Sequence, residues 1–64
     1  MKQLIRLPRV RDCVGLSRSE IYRRIALGEF PPPIPIGARA VAWEAAAIDA
    51  WIKERIALAK KRAA

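Results

Sequence analysis

A chain of 64 residues is a single domain near the lower size limit for folding without a staple. With one cysteine and no histidine it can hold neither an internal disulfide nor a zinc site built from Cys and His. Hydrophobic residues make up 53% of it, which excludes a disordered segment, and a net charge of +7 with a pI near 10.9 favours a polyanionic partner, nucleic acid ahead of a membrane surface.

The charge is uneven. Residues 1–30 carry seven basic and three acidic groups, residues 31–52 one and two, and residues 53–64 five and one. Much of the apolar fraction is alanine, so the core must rest on a few large side chains. No apolar run approaches the roughly 20 residues that cross a bilayer. Arg6, Arg9 and Arg11 interrupt the N-terminus where a signal peptide would be apolar. The expectation is a cytoplasmic, nucleoid-associated protein with no membrane partner, folded as one domain over 1–64 with a lead-in at 1–6 and a basic tail at 60–64.

After the lead-in, whose Leu4 and Ile5 can cover the core, Pro8 suits the first position of a helix. Leu7, Val10 and Val14 recur at helical spacing and predict a helix to about Val14, ended by Gly15. Leu7 is a poor cap, so packing must hold the start of that helix. Cys13, between apolar neighbours, reads as a small core residue. Leu16 can plug the gap to the next helix.

Ser17 and Glu20 are spaced as a capping box, and Gly28 supplies a stop, which predicts a short helix over 18–27. At 100° per residue Ile21 and Ile25 share one face, while Ser19 and Arg23 share another that is polar and basic. A short, sharply started helix of this kind suits the major groove, as the second helix of a helix-turn-helix.

Phe30 anchors the turn that follows. Pro31-Pro32-Pro33 and Pro35 exclude a helix or a central strand and leave a stiff spacer. Ile34-Pro35-Ile36 and Ala40-Val41-Ala42-Trp43 flank Gly37-Ala38-Arg39 and predict a two-stranded wing over 36–41. In that hairpin Gly37 takes a positive φ, Arg39 stands at the tip, and Ile36, Val41 and Trp43 pack on the helices. From Glu44 or Ala45 a helix runs to about Lys60 on a stripe of Ile48, Trp51, Ile52 and Leu58 with the stem of Arg55. Asp49 and Lys53 form an outward pair on it. Lys60, Lys61 and Arg62 suit either a helix C-terminus or contact with phosphate.

In order and spacing, Gly15-Leu16-Ser17-Arg18-Ser19, Ile21-Tyr22-Arg23, Gly28-Glu29-Phe30-Pro31, Pro33, Ile36-Gly37, Arg39, Val41, Trp43 and Ile48-Asp49-Ala50-Trp51-Ile52 resemble the AlpA family of small phage and prophage regulators. That family is similar in fold to excisionases and to the N-terminal winged helices of MerR-type regulators. The match runs over roughly residues 4 to 56. The resemblance implies a mainly α fold with a small β-hairpin, a winged helix-turn-helix, that binds double-stranded DNA sequence-specifically. Two departures bear on stability. Ala45-Ala46-Ala47 stand where the family caps its last helix, so that start is expected to fray, and Leu7-Pro8 stand where Ser or Thr often opens the first.

Within that frame Ser19 and Arg23 are candidates for base edges, and Arg18 for a base or a phosphate. Ser17 and Tyr22 fix the helix against the DNA backbone, and Arg39 meets the minor groove or a flanking phosphate. Arg24 is set aside as the partner of Glu20. The leading function is a prophage transcriptional regulator, the alternative an excisionase-type factor that bends DNA, and the third reading a protein-binding adaptor. RNA polymerase, an integrase and a second copy of the chain on DNA are the protein partners this admits. The absence of histidine, the lack of a Gly-rich phosphate loop and scattered carboxylates argue against an enzyme, and no catalytic residue, cofactor or metal is expected.

Overall fold

Glycine stops each of the first two helices. In the computed structural model, which describes residues 1–63, α1 spans Leu7–Val14 and α2 spans Arg18–Ala26. Gly15 sits at φ 71°, and its N–H donates to the Arg11 carbonyl at 2.8 Å. Gly28 sits at φ 73°, its N–H donating to Ile25 at 3.0 Å while Glu29 N–H donates to Arg24 at 2.8 Å. This pair of bonds is a Schellman motif and satisfies carbonyls that would otherwise end unpaired. At the front of α1 no side chain caps. Arg6 holds the cap position in extended backbone, and its carbonyl accepts from Val10 N–H at 3.0 Å.

The residues expected as a lead-in form a strand. β1 (Leu4–Ile5) pairs antiparallel with β3 (Val41–Glu44), Leu4 opposite Glu44 and Ile5 opposite Trp43. β2 (Ile34–Pro35) pairs antiparallel with the other edge of β3, Ile34 opposite Ala42 and Pro35 opposite Val41. The wing is therefore part of a three-stranded sheet ordered β1-β3-β2, not an isolated hairpin. Pro35 lies on an edge strand, where its missing N–H leaves no gap in a central ladder.

The wing loop runs over 36–40 and closes with Ile36 N–H donating to the Ala40 carbonyl at 2.9 Å. Gly37 does not take the expected positive φ; among the described residues only Gly15 and Gly28 do. Ile36 does not pack on the helices either. It is 45% exposed, because the ladder ends at Pro35 and Ile36 already belongs to the loop.

Strand passes directly into helix at α3 (Ala45–Ala63), three residues longer than expected. Its alanine start is tied rather than loose, since Ala45 N–H donates to the Gln3 carbonyl at 2.8 Å. The segment before β1 thus replaces the side-chain cap that the sequence lacks. A helix of 19 residues is about 28 Å long. Past Arg55, the last residue to share a concavity with the Gly28–Pro31 segment, it outruns the body, which accounts for the long axis of a 46 × 29 × 19 Å molecule. Leu58, expected on the apolar stripe, is exposed there because nothing lies opposite. The expected basic tail falls on this projecting end through Arg62, and Ala64 lies outside the described residues.

Val10, Ile21, Phe30, Trp43 and Ile48 form the core, with Leu7, Val14, Leu16, Ile25, Val41, Trp51 and Ile52 packed around it. Both tryptophans use their polar edge. Trp43 Nε1–H donates to the Pro31 carbonyl and Trp51 Nε1–H to the Glu29 carbonyl, each at 2.9 Å. The connector is thereby held against the core at two points, and the Phe30 ring lies tilted against Trp51 with ring centres 5.0 Å apart. Cys13 is exposed, contrary to expectation. At 100° per residue it lies about 90° from the centre of the Leu7–Val10–Val14 stripe.

Candidate nucleic-acid interface

α2 begins where the sequence places it. Ser17 is the N-cap, and its hydroxyl accepts from Glu20 N–H at 3.2 Å. The reciprocal half of the capping box does not form, because the Glu20 carboxylate is engaged on the other side. Arg23 Nε and Nη2 donate to its two oxygens at 3.1 and 2.6 Å, and Arg24 Nε donates to Oε1 at 3.0 Å. Arg24 is the partner of Glu20 as expected. Arg23 is a second and stronger one.

Two guanidiniums on one carboxylate hold Glu20 down to about 2 from an ordinary value of 4.5, the Arg23 hydrogen bond being the largest cause. The same contact, Glu20 accepting from Arg23, pushes the Arg23 guanidinium up. Binding by Glu20 occupies the Nε/Nη2 edge of Arg23 and leaves the Nη1/Nη2 edge free. The Arg23 side chain remains 60% exposed. Ser19, one turn earlier on the same stripe, is exposed as well.

Arg18 and Tyr22 lie one turn apart on the side of α2 nearer the sheet. The Arg18 guanidinium carbon is 5.7 Å from the centre of the Tyr22 ring, and that ring meets Trp43 edge-on at 6.3 Å. Tyr22 is half-buried and links the core to the surface arginine. Across from them the wing loop carries Arg39, fully on the surface. Arg18, Tyr22 and Arg39 line one concavity of about 640 Å³.

A residue missed in the sequence joins them there, Arg6, from the junction of β1 and α1. No carboxylate lines this concavity. Of the expected site residues, then, Arg18, Tyr22 and Arg39 converge, Ser19 and Arg23 continue outward along α2, and Ser17 is committed to the cap. Nothing local marks Arg6, which reads in sequence as one of several basic residues near the N-terminus.

Helices α1 and α2 across the Gly15 turn, with β2 and β3 beside them and α3 behind, make a winged helix-turn-helix domain. Residues 3–56 match the family described as Prophage CP4-57 regulatory protein (AlpA), and the chain belongs to that family of prophage regulatory proteins. It is also similar to the uncharacterized protein ORF88 of Enterobacteria phage P4, being 43% identical over 60 residues that cover 94% of this chain and 68% of that protein. The resemblance read from the motifs is to this same family. Among the described residues no helix is long and apolar enough to cross a membrane.

Proposed function

We propose that the chain is a phage-type transcriptional regulator that binds double-stranded DNA sequence-specifically. Helix α2, about 13 Å long, lies in the major groove, whose width of about 12 Å admits a helix. Ser19 and the free edge of Arg23 face base edges, and an arginine fork on guanine O6 and N7 contributes about 1–3 kcal/mol of discrimination. Arg18, Ser17 and Tyr22 sit against the backbone, and Arg39 on the wing meets a flanking phosphate or the minor groove.

The observation that carries this reading is the convergence of Arg18 from the helix and Arg39 from the wing on a concavity free of carboxylates. The first proline of the run and the tryptophan of α3, on which an adaptor would rely, are engaged in hydrogen bonds that hold the connector to the body. Selection of bound sequences from a random duplex pool tests the proposal. A recovered consensus with salt-dependent affinity is expected, and paired half-sites would show two copies acting together. Recovery of no consensus contradicts it. The selected duplex in circularly permuted gel shifts then separates a regulator that leaves DNA straight from an excision factor that bends it.

A further inference from the structure

We propose that Arg6, Arg18 and Arg39 together form one site for a single phosphodiester group of the DNA backbone, an assignment that rests on the duplex-binding reading above. The three side chains come from distant parts of the chain: the cap of α1, the first turn of α2 and the wing loop. They nevertheless line the same concavity. Three like charges around one depression repel one another, and no carboxylate lines the depression to offset that. Among the described residues the ion pairs go instead to Arg23, Arg24, Lys53 and Arg55. An unneutralised cluster of this kind is stabilised by taking up an anion.

The backbone fixes all three positions. Arg6 is held in extended conformation between β1, whose register with β3 is set, and α1, whose first turn it closes through its carbonyl. Arg39 stands in a loop closed by the Ile36–Ala40 hydrogen bond. Arg18 rests over Tyr22, which leans on the buried Trp43. The backbone of each arginine is thus placed before any ligand arrives, which reduces the ordering cost of binding.

Chemistry selects phosphate. A guanidinium fork matches two oxygens of a phosphate, and several such forks can share its tetrahedral oxygens. The first turn of α2 adds the positive end of the helix dipole. Free phosphate shares this chemistry, but the depression lies between α2 and the wing, the two elements that would straddle one duplex. A phosphate gripped there fixes how far α2 can slide along the groove, so Arg6 is a register-setting contact although it touches no base.

The test uses the full chain and the duplex recovered by selection, with affinity followed against salt. Each neutralised phosphate contributes about 0.9 to the slope of log K against log salt. Replacing Arg6, Arg18 and Arg39 together by Gln is expected to flatten the slope by about 0.9, the value for one phosphate rather than three. Walking a neutral methylphosphonate along each strand is expected to find one position that flattens the wild-type slope equally and at which the triple variant loses nothing further. Flattening by about 2.7, or loss of sensitivity by the triple variant at three different positions, overturns the shared site while leaving duplex binding intact. If the triple variant does not fold, Arg6→Gln and Arg39→Gln taken singly must lose sensitivity at the same methylphosphonate position, and different positions overturn the proposal. Wild-type protein that binds no duplex fails the functional reading itself. Inorganic phosphate that shifts the three arginine Nε–H resonances in such a protein would move the site to a free anion and overturn the phosphodiester assignment, as would the absence of any shift.

Discussion

Glu20 decides what Arg23 can do. Its carboxylate takes one edge of that guanidinium and presents the other, so the residue proposed to read bases is held in one orientation by a neighbour on its own helix. Glu20→Gln is expected to raise affinity for unrelated duplexes, through the added net positive charge, and to narrow the gap between selected and scrambled duplex. Competition binding at fixed salt measures both. The depressed carboxyl sets the pH behaviour: its stabilising contribution is full above about 4.5 and is lost as pH falls toward about 2. The difference between wild type and Glu20→Gln is therefore expected to be flat between about pH 5 and about pH 8. Spacing alone revealed the Glu20–Arg24 pair but not the Arg23 fork. Positions three and four residues on compete for the same carboxylate, and only side-chain geometry shows that both are accommodated.

At the scale of elements the two kinds of glycine separate cleanly. Gly28 has φ 73° and ends α2, so Gly28→Ala is expected to cost about 1 kcal/mol in thermal or denaturant unfolding. Gly37 lacks that conformation, and a Cβ there would meet only the Ala40 Cβ at 3.6 Å. Gly37→Ala is expected to change stability by less than about 0.5 kcal/mol. Helices α1 and α2 were legible in the sequence because periodicity, a cap and glycine stops all act locally. β1 was not. Two residues show no alternation, and Leu4-Ile5 becomes a strand only because β3, separated from it in the chain by two helices and the proline connector, offers an edge. Deleting residues 1–5 removes that strand and the Gln3 carbonyl that anchors Ala45. A loss of about 1–3 kcal/mol in denaturant unfolding is expected, from the partly buried Ile5 and the unpaired start of α3.

The whole molecule divides into a small packed body and a projecting basic helix end. Truncation after Ile56 removes residues of which none, among those described, packs on the core, and it is expected to shift stability by less than about 1 kcal/mol. An unchanged salt slope in the truncated protein would leave Lys60, Lys61 and Arg62 as helix-end charges; a flatter slope would assign them to phosphate. In the body, the sequence singled out Arg18 and Arg39 but neither Arg6 nor the convergence of the three. Arg6, Arg18 and Arg39 meet only because the β1–β3 pairing and the wing bring three distant segments to one side of α2. The proposed function stands or falls on α2 reading duplex sequence through Arg23. Competition between the selected duplex and a scrambled one, at fixed salt, measures it directly for wild type and Arg23→Ala. Loss of preference, with scrambled-duplex affinity within a few-fold of wild type, is the expected result; preference retained in Arg23→Ala would contradict it.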